Sequence, residues 1–121
     1  MYRLSVYDYF SSAHQLVGYE GKCEELHGHN WKVEIEIEGN EIDNIGMLMD
    51  FKILKSMLKE ILDEMDHKFL NNLEQFKDTN PSSEFIAKYV FNQIKVQLPK
   101  VVKITSTSIW ESERSRAVYF E

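Results

Sequence analysis

Residues 31–38 read Trp31-Lys32-Val33-Glu34-Ile35-Glu36-Ile37-Glu38, an apolar and a charged residue in strict alternation. A period of two places Trp31, Val33, Ile35 and Ile37 on one side and Lys32, Glu34, Glu36 and Glu38 on the other, which predicts a half-buried strand with one wet face. Upstream, a weaker strand is expected over residues 2–10, with Leu4 and Val6 on one side. Downstream, Leu54, Met57, Leu58, Ile61, Leu62 and Met65 recur at intervals of three and four, the spacing of a helix, with Asp50 as its cap. A second helix is predicted to start at Asn80 and Pro81, a cap followed by proline at the first helical position. It runs through Ile86, Tyr89, Val90 and Ile94 and stops before Pro99. Residues 101–110 and 117–120, rich in Val, Ile, Thr or aromatic side chains, read as two closing strands.

The order ββααββ groups strands in pairs instead of alternating them with helices. It predicts an α+β fold, a four-stranded antiparallel sheet with two helices on one face. Such a sheet has two open edges, and assembly through them is expected because exposed edges invite further pairing. The 121 residues are expected to form one domain, residues 1–121, with 43% hydrophobic residues to build its core. A net charge of −6 argues against nucleic acid as partner, which calls for a basic footprint, yet leaves room for a polyanionic small substrate in a local pocket. The one cysteine, Cys23, permits no intramolecular disulfide. No membrane span and no secretory leader are read from the chain, so the expected location is cytoplasmic.

The histidines carry the chemistry. There are four, His14, His27, His29 and His67. Residues two apart on a strand share a face, so His27 and His29 can converge on one ion, with Gly28 leaving room on the opposite side. His14 joins them if the first two strands form a hairpin. Three neutral imidazoles suit Zn²⁺ and leave a fourth position open, the arrangement of a catalytic site. A bare His-x-His also fits two histidines on a wet strand face. Cys23 has charged neighbours, which argues against an apolar core position; it reads either as an ionisable thiol acting as base or nucleophile, or as a fourth ligand closing a structural site. Asp66 and His67 read either as a carboxylate-oriented general acid/base pair or as a histidine placed favourably at a helix C-terminus. Glu111 is either a surface carboxylate or a bidentate acceptor for a ligand with two adjacent N–H donors.

These residues fall in segments that resemble one family over essentially the whole chain. The segments are Phe10-Ser11-Ser12-Ala13-His14, Cys23-Glu24-Glu25-Leu26-His27-Gly28-His29-Asn30, Gly46-Met47-Leu48-Met49-Asp50-Phe51, Asp66-His67-Lys68-Phe69-Leu70-Asn71, Asn80-Pro81-Ser82-Ser83-Glu84 and Trp110-Glu111-Ser112. In this order they resemble the 6-pyruvoyltetrahydropterin and 6-carboxytetrahydropterin synthases. The resemblance implies a tunnelling fold, with subunits joined edge to edge into a trimeric barrel, two barrels stacked as a hexamer, and active sites between subunits. It implies that His14, His27 and His29 hold Zn²⁺, that Cys23 is the catalytic base, and that Asp66 and His67 complete a proton relay. Glu111, with Ser82 and Ser83, is implied to bind a pterin triphosphate, 7,8-dihydroneopterin triphosphate. On this reading Glu111 touches neither the metal ligands nor the main core.

The short Cys-x-x-x-His-Gly-His spacing resembles the carboxy branch, which releases acetaldehyde and triphosphate in making 6-carboxy-5,6,7,8-tetrahydropterin for 7-deazaguanine and queuosine synthesis. The alternatives are the pyruvoyl branch, a related dihydropterin side-chain cleavage supported by Glu25 beside the thiol, and a non-catalytic zinc-stabilised pterin-binding module. Lys22, Lys68, Arg114 and Arg116 are candidates for the triphosphate. The zinc reading predicts that His27→Ala or His29→Ala sharply lowers bound metal, because two neutral ligands rarely hold the ion against water. Metal analysis after dialysis against a weak chelator checks this, and full stoichiometry in His29→Ala would remove the assignment.

Overall fold

The computed structural model describes residues 1–18 and 26–121, with His27 described by its backbone alone. Its elements run β1 (Tyr2–His14), β2 (His27–Gly39), α1 (Phe51–Asp63), two 3-10 turns (Leu70–Asn72 and Glu74–Phe76), α2 (Ser83–Lys95), β3 (Lys103–Ser112) and β4 (Ser115–Phe120). The strands form one antiparallel sheet in the order β1-β2-β3-β4. Trp31, Val33, Ile35 and Ile37 of β2 all have 0% exposure, as the alternation predicts.

Both helices bury one stripe. Asp50 caps α1 by accepting from the Lys52 N–H, and Leu54, Leu58, Ile61 and Leu62 face inward. In α2 the buried stripe is Ile86, Ala87, Val90, Phe91 and Ile94. These stripes meet the odd-numbered residues of β2 together with Val6, Phe10, Ile104 and Ile109 in one continuous core. The opposite face of the sheet carries Lys32, Glu34, Glu36 and Glu38, each half-buried.

The boundaries differ from expectation in ways that matter for the site. β1 continues past Phe10 to His14, because Ser12 and His14 extend the period-two burial although neither is apolar. The cap of α2 is Ser82, whose Oγ accepts from the Phe85 N–H, and not Asn80. Asn80 is engaged elsewhere: its side-chain amide accepts from the Val17 N–H and donates to the Val17 carbonyl, both at 2.9 Å. The 3-10 turns, which no periodicity announces, add Leu70 and Phe76 to the core.

β1 and β4 are the edge strands. The end of β1 is covered within the chain, because Ala13 bridges Phe69 in parallel, the Ser11 N–H donates to the Asp66 carboxylate and the Ser11 carbonyl accepts from the His67 N–H. Leu58 is fully buried between α1 and the sheet. Leu58→Ala is therefore expected to destabilise the protein by ~2–5 kcal/mol through lost apolar burial and a residual cavity. Urea unfolding measures this; a loss below ~1 kcal/mol would show that the helix can collapse onto the vacated space.

Candidate functional site

The ends of three strands and the start of α2 converge at one end of the sheet's helix-covered face. His14 closes β1 with its ring at 1% exposure. Its Nδ1 lies 2.9 Å from the Pro81 carbonyl oxygen. A carbonyl can only accept, so Nδ1 carries a proton and donates it, and Nε2 is the nitrogen turned towards Glu111. His29, two residues before Trp31, shares the face of the buried row. The two imidazoles stand edge-on to one another at 5.3 Å, and both pack edge-on against the Trp31 indole, at 4.9 Å for His14 and 5.3 Å for His29. The indole N–H donates to the Ser12 carbonyl, so the floor of the site is itself pinned to β1.

Glu111 is the third member, and here the structure corrects the expectation. Its Oε1 lies 2.8 Å from His29 Nε2 and 3.2 Å from His14 Nε2. Its Oε2 accepts from the Ser83 hydroxyl at 3.4 Å. Glu111 thus stands within ligating reach of both histidines instead of apart from them. The physical cause is the strand period: Glu111 follows the buried Ile109 by two residues and so shares its helix-covered face.

His14, His29 and Glu111 bring their ligand atoms within 4.8 Å of one another, a set that could hold a metal ion. The donor chemistry fits a cation. Imidazole nitrogens and a carboxylate oxygen at 2.8 and 3.2 Å can share a metal ion or a proton. His27 lies opposite His14 in the backbone register, at the position from which a further imidazole is expected. Its side chain, and Cys23 with Lys22, Glu24 and Glu25, fall outside the described residues. Among the described residues, a Cβ at Gly28 meets nothing within 4 Å.

Asp66 and His67 are placed together but on the outer edge of β1. Asp66 Oδ1 accepts from the Ser11 N–H at 2.8 Å, and its Oδ2 lies 3.0 Å from His67 Nδ1. The His67 N–H donates to the Ser11 carbonyl at 2.6 Å. This clasp holds His67 at φ 57°, a left-handed conformation uncommon for a residue with a side chain. The ring is 81% exposed. Ser11 precedes His14 by three residues, or ~10 Å of strand, so within one chain the pair stands beside the cluster and not in it. Ser82 spends its hydroxyl on capping α2, whereas Ser83 touches Glu111. Among the basic candidates, Arg116 stacks on Trp110, on the opposite face of the sheet from the cluster.

Several contributors escaped the sequence. Asn71 exchanges hydrogen bonds with the Gln15 backbone at 2.8 and 2.7 Å, as Asn80 does with Val17, so two side chains clasp the segment leaving His14. The Pro81 carbonyl accepts from His14 Nδ1. Both asparagines and Pro81 lie in quoted motif segments, but nothing in a linear pattern says that an amide will pair with backbone far away.

Residues 3–121 match the family described as 6-pyruvoyl tetrahydropterin synthase. A Haemophilus influenzae protein named 6-carboxy-5,6,7,8-tetrahydropterin synthase is 32% identical over 143 residues, covering 100% of both chains. A Pyrococcus furiosus protein named dihydroneopterin monophosphate aldolase is 40% identical over 88 residues, covering 73% of this chain and 72% of its own. The structure of Caenorhabditis elegans 6-pyruvoyl tetrahydropterin synthase superposes with a TM-score of 0.86 at 30% identity, covering 99% of this chain and 95% of that one.

The Asp66 clasp makes stability depend on pH. The Ser11 N–H, and after it the His67 ring, hold the Asp66 carboxyl below its ordinary value of 3.8. A depressed carboxyl contributes stability above its unfolded value and loses it as pH falls through the folded one. Asp66→Asn keeps an acceptor for Ser11 but removes the charge. It is expected to be less stable than the parent at neutral pH, with the gap closing as pH falls below 3.8. Parallel denaturant melts across pH check this, and a gap that persists in acid would contradict it.

Proposed function

The chain belongs to the 6-pyruvoyl tetrahydropterin synthase family, and from that premise we propose that it is a zinc-dependent 6-carboxy-5,6,7,8-tetrahydropterin synthase acting in the cytoplasm on 7,8-dihydroneopterin triphosphate. The observation that supports the metal-dependent reading is the convergence of His14, His29 and Glu111, whose ligand atoms lie within 4.8 Å of one another. Such a set can hold a cation, and a nitrogen-rich set with one carboxylate in reach suits zinc. His14 and His29, with His27 completing the set from its place opposite His14, are the proposed ligands. Bound there, zinc supplies Lewis acidity toward the hydroxyl-bearing side chain of the substrate.

The protein's own residues supply the rest. Glu111 accepts the 2-amino and ring N–H groups of the pterin, with Ser83 steadying its second oxygen. Ser82 acts through the N-terminus of α2, which it caps. Cys23, as thiolate, removes a carbon-bound proton from the substrate side chain. His67 moves protons to and from oxygen, and Asp66 orients its ring through Nδ1. An 81% exposed imidazole in a strained backbone position is poorly placed to act alone. The proposal therefore includes a hexamer of two stacked trimers, joined through the open edges of β1 and β4, in which a neighbouring subunit completes the site.

The name of the Pyrococcus furiosus relative favours a second reading, in which the side chain is cleaved in another way. Product identity separates the two: purified protein given 7,8-dihydroneopterin triphosphate should release acetaldehyde together with 6-carboxytetrahydropterin. A pyruvoyl product or a different cleavage product would move the chain to another branch. Cys23→Ala is expected to keep its metal and its oligomeric state while losing most turnover. Loss of metal along with turnover would mean that Cys23 is a structural ligand.

A further inference from the structure

The face of the sheet turned away from the helices carries a row of side chains that the proposed reaction leaves unused. The backbone register sets Tyr9 opposite Lys32, Lys32 opposite Trp110 and Trp110 opposite Arg116, so aromatic and cationic residues alternate across all four strands. The Lys32 ammonium lies 4.4 Å from the centre of the Tyr7 ring and 4.7 Å from that of Trp110, and the Arg116 guanidinium lies 5.4 Å from Trp110. Further along this face Arg3 answers Glu36 at 3.7 Å and Glu38 at 3.2 Å. Among the described residues, no carboxylate pairs with Lys32 or Arg116. Beside them opens a cavity of about 380 Å³, lined by Tyr9, Asn30, Lys32, Trp110, Ser112 and Glu113. Its volume is that of a small-ligand pocket.

We propose that this row is a second ligand site, separate from the His14 cluster, for a small phosphorylated nitrogen heterocycle of the nucleotide type. Tyr9, 57% exposed, and the half-buried Trp110 offer ring faces on which a heterocycle stacks. Lys32 and Arg116 meet the phosphoryl oxygens. Each stands over an aromatic ring, which fixes its position while its outward N–H groups remain donors. The rim then reads the edge of the heterocycle. Asn30 accepts the Ser11 hydroxyl through Oδ1 at 2.6 Å, so its amide NH₂ is the group it presents to a ligand. Glu113 supplies an acceptor for a ring N–H and repels a bare phosphate, so the site calls for the heterocycle as well as the charge. Trp110 and Glu111 are consecutive on β3 and point to opposite faces, so the sheet itself stands between this ligand and the cluster. The inference does not depend on the reaction proposed above.

The test is calorimetric titration of the full chain, in its solution assembly and at low salt, with ATP and GTP, their uncharged nucleosides, and inorganic tripolyphosphate. At least one nucleotide should bind, with its nucleoside and tripolyphosphate each about 10-fold or more weaker, since each lacks half of the contacts. Lys32→Met, which keeps the apolar stem over the rings, and Arg116→Gln are each expected to weaken the nucleotide about 5-fold or more, with unchanged thermal melts. Added salt should weaken binding more in the parent than in either variant. Glu111→Gln alters only the other face and should bind the nucleotide as the parent does, which separates this site from triphosphate recognition at the cluster. No nucleotide binding tighter than ~1 mM would overturn the proposal. So would binding that survives both Lys32→Met and Arg116→Gln, or binding lost in Glu111→Gln. Tripolyphosphate bound as tightly as the nucleotide would overturn it too, leaving a polyanion patch that reads no ring.

Discussion

The apolar row of β2 carries both the core and the site. Trp31, Val33, Ile35 and Ile37 are sealed between β1, β3 and the two helices, and continuing the same face by two residues reaches His29. Trp31 stands at the junction. One part of its indole stacks on Phe10 at 5.7 Å and 3°, inside the core, while both site imidazoles pack edge-on against it. The last core residue is thus the floor on which the histidines stand. Positions on strands hold side chains more exactly than loops do, and a floor locked by its own hydrogen bond removes remaining freedom.

The second support comes from the far side of the chain. The segment leaving His14 is clasped by Asn71 and Asn80, and the Pro81 carbonyl beside Asn80 accepts from His14 Nδ1. Asn80 and Pro81, which read as a helix start, thus hold His14 and the segment that leaves it. On the free edge of β1, Asp66 and His67 grip the Ser11 backbone from outside. One strand thus presents a buried imidazole on its inner face and anchors an exposed one on its outer edge.

Much of this was legible in advance where a local rule applied. Alternation found β2, the interval of three and four found α1, and Asp50 capped it because a carboxylate before an apolar stripe has few better uses. The pairing of His27 with His14 follows once the first two strands form a hairpin. The start of α2 was misread because Asn80 and Ser82 are both good caps. Which one serves is settled by a distant backbone group, that of Val17, competing for the asparagine.

By itself the sequence determined which side chains are apolar, at what period, and hence the order ββααββ, the buried face of each element and the strand that carries His29. These depend on neighbours a few residues away, and local periodicity records them. Only the tertiary structure decided what Glu111 meets, which nitrogen of His14 donates to Pro81, and that Asp66 and His67 stand apart from the cluster within one chain. Each of those outcomes turns on a contact spanning much of the sequence, namely Glu111 with His14, His14 with Pro81, and Ser11 with Asp66. A single long-range hydrogen bond leaves no periodic trace, because it changes one residue's partner and not the burial of a face.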